Sequence, residues 1–89
     1  MYTLSRDVVI INELGLHARS AARIAKLAQN ASSKVWLVKG KERVDASSVI
    51  DILSLACLKG SKITLKIDEE SDIDILNEII ELIKKGFGE

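Results

Sequence analysis

The stretch Val8-Val9-Ile10-Ile11-Asn12-Glu13-Leu14-Gly15-Leu16-His17-Ala18-Arg19-Ser20-Ala21-Ala22 contains the change of period on which the fold depends. Four β-branched residues in succession read as a buried strand that begins near Thr3 and ends at Asn12. Gly15 breaks that pattern. From residue 18 to about residue 31 the spacing is helical: Ala21, Ile24, Ala25, Ala28 and Ala31 fall on one face, and Arg19, Arg23, Lys26 and Asn30 largely elsewhere. The alanines favour helix and permit close packing on a sheet.

Working outward, Val35-Trp36-Leu37-Val38 is a second strand, Lys39-Gly40-Lys41 a tight turn, and residues 42–45 a short third strand. Residues 48–58 read as a helix closed by Lys59-Gly60, with basic charge and glycine where a helix end prefers them. Ile63-Thr64-Leu65-Lys66-Ile67 alternates, so that strand has one buried and one wet face. Ser71 with Asp74 resembles a capping box for a last helix whose Ile73, Leu76, Ile79, Ile80 and Ile83 face inward. Gly86 and Gly88 end it. The order βαββαβα predicts an α+β fold. It is a two-layer open-faced sandwich, with a four-stranded, mainly antiparallel sheet covered on one face by three helices. No linker, repeat or low-complexity stretch divides the chain, so residues 1–89 are read as one domain.

The bulk properties exclude several classes. Thirteen basic and thirteen acidic residues cancel, leaving no net field for nucleic acid or an anionic membrane. Tyr2, Trp36 and Phe87 are the only aromatics, too few for a base-stacking surface. Cys57 is alone, which excludes an internal disulfide and any CxxC metal or redox motif. It is expected to be a small buried or semi-buried apolar residue. With one histidine and no clustered carboxylates beside it, no metal site is expected. The first residues lack a signal pattern and no apolar run reaches spanning length, so the cytoplasm is the expected compartment, and a monomer is taken as the default state.

His17, the one histidine, stands at the mouth of the first helix. A lone histidine there is often only a loop or capping residue. The setting also suits phosphoryl chemistry. A helix's first turn has unpaired N–H groups and a partial positive charge that favour an anion. The N–H groups of Ala18 and Arg19 would be such donors, and the Arg19 side chain adds a cation able to pair with phosphate. Positive surroundings favour a neutral imidazole, whose free nitrogen is a nucleophile. A hydrolase triad is a poor competitor, because no nucleophile elbow is present.

With those residues, the chain resembles the histidine-containing phosphocarrier proteins (HPr) of the bacterial sugar phosphotransferase system. Gly15, His17, Ala18, Arg19 and Ala21 match the family's Gly-x-His-Ala-Arg-Pro-Ala motif. Ser48-Val49-Ile50-Asp51-Ile52-Leu53-Ser54-Leu55, followed by Lys59-Gly60-Ser61-Lys62-Ile63-Thr64, is similar to the family's regulatory-serine helix and next strand. The tail Gly86-Phe87-Gly88-Glu89 looks like tails in HPr proteins of Gram-positive type.

The resemblance implies that His17 takes a phosphoryl group from enzyme I, derived from phosphoenolpyruvate, and gives it to an enzyme IIA domain. Arg19 would support the group, and no cofactor would be involved. Such a protein is transiently phosphorylated rather than a stand-alone enzyme. Ser48 would match the serine modified by HPr kinase/phosphorylase, the modified form partnering a catabolite-repression regulator. By its own chemistry Ser48 is first an N-cap, loosely boxed with Asp51, whose charge opposes a phosphate. Two residues depart from the family pattern. Ser20 stands where the family has proline, allowing the same first turn but constraining it less. Leu14 stands where a small polar residue is common, and leucine cannot hydrogen-bond phosphate.

The helix at 48–58 is apolar nearly all round. Ile52, Leu55 and Ala56 are assigned to the sheet side, leaving Val49, Ile50 and Leu53 as an outward patch. Ser20, Ala22, Arg23 and Lys26 join them as the expected partner-docking residues, the two cations forming a rim. The alternatives are an HPr-like regulatory protein acting mainly by binding, and a ferredoxin-like module. The last would need a cysteine pair or sheet aromatics, and the chain has neither.

Overall fold

The computed structural model describes residues 4–89. Strand β1 is Leu4–Val9, helix α1 Ala18–Ala28, β2 Val35–Lys39, β3 Glu42–Asp45, α2 Val49–Ser54, β4 Lys62–Ile67 and α3 Ile73–Lys84. The sheet runs β1-β4-β2-β3 and every neighbouring pair is antiparallel, with Val8 opposite Ile63 and Leu37 opposite Leu65. This is the expected open-faced α+β sandwich. The expected start of the first strand near Thr3 lies outside the described residues.

The core forms where the two periodicities meet. Period-two residues Ile63, Leu65 and Ile67 of β4, with Val35 and Leu37 of β2, supply the sheet side. Ala21, Ile24, Ala25 and Ala28 of α1, with Leu76, Ile79, Ile80 and Ile83 of α3, supply the helix side. On the open face the Arg43 guanidinium lies over the Trp36 ring, 4.2 Å from its centroid, and Trp36 Nε1 donates to Asp68. Among the described residues no helix is long and apolar enough to cross a membrane.

Five sequence expectations need correction. Strand β1 stops at Val9 rather than Asn12. Ile10 leaves the ladder and exchanges hydrogen bonds with Ser61 and Gly60. Helix α1 ends at Ala28, not near residue 31, and the following Ser32 and Ser33 N–H groups donate to the buried Asp72 carboxylate. That contact also displaces the expected Ser71 cap. The chain enters α3 through a 3-10 turn at Glu70–Asp72, and Asp72 rather than Ser71 is the N-cap residue. Helix α2 is six residues, ending at Ser54. Ala56 takes a left-handed φ of 51° and is exposed, so it does not face the sheet. Lys39 Nζ instead caps the helix, donating to the carbonyls of Leu55 and Ala56.

One ion pair makes stability depend on acid. Asp45 accepts from Lys34 Nζ at 2.8 Å and from the Ser47 N–H and Oγ–H. These bonds, the Lys34 one foremost, hold its carboxyl down to about 2. A depressed folded value contributes stability above the unfolded pKa, near 4, and that contribution is lost as pH falls toward 2. Denaturant titrations across this range should show a loss of about 1–2 kcal/mol in the wild type, after allowance for solvent screening. Asp45→Asn should be less stable at neutral pH and lack this part of the slope. An unchanged slope would assign the acid sensitivity elsewhere.

Candidate functional site

The segment between β1 and α1 is fixed by one close approach. The Leu16 N–H donates to the Cys57 carbonyl at 2.8 Å, docking the loop onto the chain that follows α2. A Cβ at Gly15 would sit 2.4 Å from that oxygen and 2.9 Å from the Leu58 Cα. Gly15 also has φ of +66°, so glycine is required here for both space and backbone conformation. Cys57 is 2% exposed, and burial pushes its thiol up, as befits a packing residue.

His17 follows as the N-cap of α1 in extended conformation, its side chain 26% exposed. The Ser20 Oγ accepts the His17 N–H at 2.9 Å and lies 3.1 Å from the His17 carbonyl. Serine here ties the first turn by hydrogen bonds where proline would tie it by its ring. The expectation that Ser20 contacts a partner is corrected, since its side chain is fully buried by this role. The N–H groups of Ala18 and Arg19 lie in the first turn, where no intrahelical acceptor exists. That turn carries no acidic residue of its own, and Arg19 is exposed beside it.

The far end of the chain completes the site. Beyond α3, Gly86–Gly88 curls in a 3-10 turn with positive φ at each of its three residues. Phe87 is buried at 3% exposure and its carbonyl accepts from Arg23 Nη1. The tail is thereby strapped to α1. Glu89 then reaches His17, its Oε2 lying 2.9 Å from the ring Nε2. Its other oxygen, Oε1, accepts from Asn12 Nδ2 at 3.2 Å, and the same amide nitrogen donates to the Gly15 carbonyl at 2.7 Å. The Glu89 carboxyl is held below the usual range, chiefly by its bond to His17. Sequence reading missed both residues. Glu89 is 72 positions from His17 and carries no local signal, and Asn12 read only as a strand end.

The second motif lies apart from this hydrogen-bonded cluster. Ser48 caps α2, its Oγ accepting the Asp51 N–H at 3.3 Å. Of the expected docking residues other than Ser20, Ala22, Arg23, Lys26, Ile50 and Leu53 are exposed and Val49 is half-buried. Ile50 is 80% exposed. Leu14 and Leu58, on the two segments that meet at Gly15, are also largely exposed.

Residues 4–85 match the family model described as the PTS HPr component phosphorylation site. The chain is 40% identical over 86 residues to the phosphocarrier protein HPr of Cupriavidus necator, covering 97% of each chain. It is 38% identical to the phosphocarrier protein NPr of Shewanella violacea, covering all of this chain and 98% of that one. Among solved structures, an HPr from Thermoanaerobacter tengcongensis superposes with a TM-score of 0.90 at 31% identity, covering 97% of each chain. An HPr dimer from the same organism gives 0.76 at 33% identity, covering 92% of this chain and 94% of that one. With fold, motif and full-length similarity in agreement, the chain belongs to the HPr family of phosphocarrier proteins of the phosphotransferase system.

Proposed function

We propose that this protein, one domain over residues 1–89, is a cytoplasmic, monomeric phosphocarrier whose acceptor is His17. The observation that carries the reading is a partly exposed imidazole at the N-cap of a helix whose first turn has no acid and an exposed arginine. Enzyme I would present a phosphohistidine. A lone pair of the neutral His17 ring attacks phosphorus while the bond from phosphorus to the donor nitrogen breaks. The donor ring keeps that electron pair. The first-turn N–H groups of Ala18 and Arg19 and the Arg19 guanidinium stabilise the oxygens during transfer. Reversal onto an enzyme IIA domain delivers the group, so no cofactor enters.

Docking would use Ala22, Arg23, Lys26, Val49, Ile50 and Leu53, an apolar centre rimmed by two cations. Incubation with phosphoenolpyruvate and a bacterial enzyme I should give an acid-labile phosphate that a IIA domain then removes. Label that never forms, or that a IIA domain cannot discharge, would count against the carrier role.

The regulatory arm of the reading places a second phosphate on Ser48, added by an HPr kinase/phosphorylase and read by a catabolite-repression regulator. The dipole of α2 favours that phosphate and Asp51 opposes it. An HPr kinase with ATP should add an acid-stable phosphate that Ser48→Ala abolishes. Its persistence in that variant would place the modification elsewhere.

A further inference from the structure

The geometry points to the groove between α1 and α3 as a second docking surface, which takes a basic amphipathic helix of another protein lying parallel to α3. This goes beyond the carrier reading and does not depend on His17.

The two helices run antiparallel. The segment leaving α1 meets the entry of α3 at Asp72, and the turn after α3 returns to Arg23. Between them lies an open groove of about 660 Å³, whose apolar lining is Leu27 and Leu82, both partly buried. Asp74, Glu78 and Glu81 also line it, spaced four and three apart and so in one row along α3. All three are exposed, and none makes an ion pair among the described residues. The row belongs to a wider asymmetry. Seven of the chain's thirteen acidic residues fall within residues 68–81, and no lysine or arginine does. A chain with no net charge therefore carries a local negative field beside an apolar groove. Cations close the other end. Arg23 is held there by its bond to the Phe87 carbonyl, and Lys85 follows the last turn of α3.

A groove between two helix ridges is filled by the apolar face of a third helix. Apolar anchors on the incoming helix would meet Leu27 and Leu82, and lysines or arginines beside them would reach the row on α3. The ends of the groove set the direction. A helix has partial positive charge at its N-terminus and partial negative charge at its C-terminus. Its start therefore belongs at Asp74 and its end at Arg23 and Lys85, which is the direction of α3. A second copy of this chain offers no such helix. The basic helix α1 has its apolar face, Ala21, Ile24, Ala25 and Ala28, buried in its own core, and α2 carries no cation. Of the residues lining the groove, only Arg23 also belongs to the docking set around α2.

The test uses the whole protein and two synthetic peptides, each a helix long enough to span α3 with leucine along one face. One carries lysine and arginine at its other positions, and the second carries glutamate there. Amide shifts of the 15N-labelled protein map where each binds, and a spin label at either end of the basic peptide reports its direction. The basic peptide should shift signals of α1 and α3 around the groove. Its N-terminal label should broaden those near Asp74, and its C-terminal label those near Lys85. Replacing Glu78→Lys together with Glu81→Lys should weaken binding by on the order of tenfold, because two exposed attractions become repulsions. That variant should still take phosphate from enzyme I as the wild type does, which checks that it is folded. Leu82→Ala, which removes an apolar contact and no charge, should weaken binding as well. No binding by the basic peptide, equal binding by the glutamate peptide, shifts centred on α2, or full binding by the charge-reversed variant would overturn the proposal. The opposite pattern of broadening would overturn the stated direction. Self-association of the protein alone that covers the groove would give this face to a second copy and overturn its assignment to another protein.

Discussion

Gly15→Ala is expected to destabilise the protein by about 3 kcal/mol, combining roughly 1–2 kcal/mol for a left-handed alanine with overpacking of similar size. The clash is with backbone: the new Cβ would stand 2.4 Å from the Cys57 carbonyl and 2.9 Å from the Leu58 Cα. Neither atom can rotate away as a side-chain tip could. Relief requires the loop to lift, which breaks the 2.8 Å bond from Leu16 to Cys57 and carries His17 off its helix start. A domain of this size has total stability of only about 5–10 kcal/mol, so the melting temperature should fall by about 15 °C. The same variant should take up phosphate poorly even well below its melting point. A melt within a few degrees of wild type would show that Gly15 is not the packing point between the two segments.

Asp72→Ala should be nearly as damaging, about 2–4 kcal/mol, because a carboxylate bonded to two N–H groups is removed from a buried position. Asp72 is 2% exposed and accepts from the Ser32 N–H at 2.8 Å and the Ser33 N–H at 3.0 Å. These bonds join the segment leaving α1 to the entry of α3. Asp72→Asn keeps one acceptor oxygen and should lose about half as much. Equilibrium urea unfolding checks both. Equal losses for Ala and Asn would mean that charge rather than acceptor geometry holds this joint.

Where structure follows local periodicity, the sequence could be read directly. The alternation of Ile63, Leu65 and Ile67 and the helical stripe of Ala21, Ile24, Ala25 and Ala28 place the buried faces of β4 and α1 correctly. Reading failed where a distant partner overrides local preference. Ile52 and Leu55 continue a helical pattern through Ala56, with no glycine to stop it. Yet the chain turns at Ala56 because the Cys57 carbonyl is needed by Leu16. Ser71 is a sound local cap signal, but Asp72 is committed to the loop across from it, and that sets the entry to α3. The site divides in the same way. His17, Arg19 and Gly15 form a local motif visible in one stretch. Glu89 and Asn12 reach the imidazole through the folded tail, and no spacing in the chain could announce a pairing over 72 residues.

Ser20 shows how such a departure can be absorbed. Its hydroxyl bonds the His17 N–H, so the first turn is held without proline. The exposed Leu14 does not bear on the ring's hydrogen bonds. What remains at the centre is the imidazole itself. The most direct measurement exposes wild type and His17→Ala in parallel to phosphoenolpyruvate and enzyme I, then maps any phosphate by tandem mass spectrometry. The expected result is acid-labile phosphate on His17 in the wild type and none in the variant. Phosphate absent from the wild type, or carried equally by His17→Ala, would contradict His17 as the acceptor.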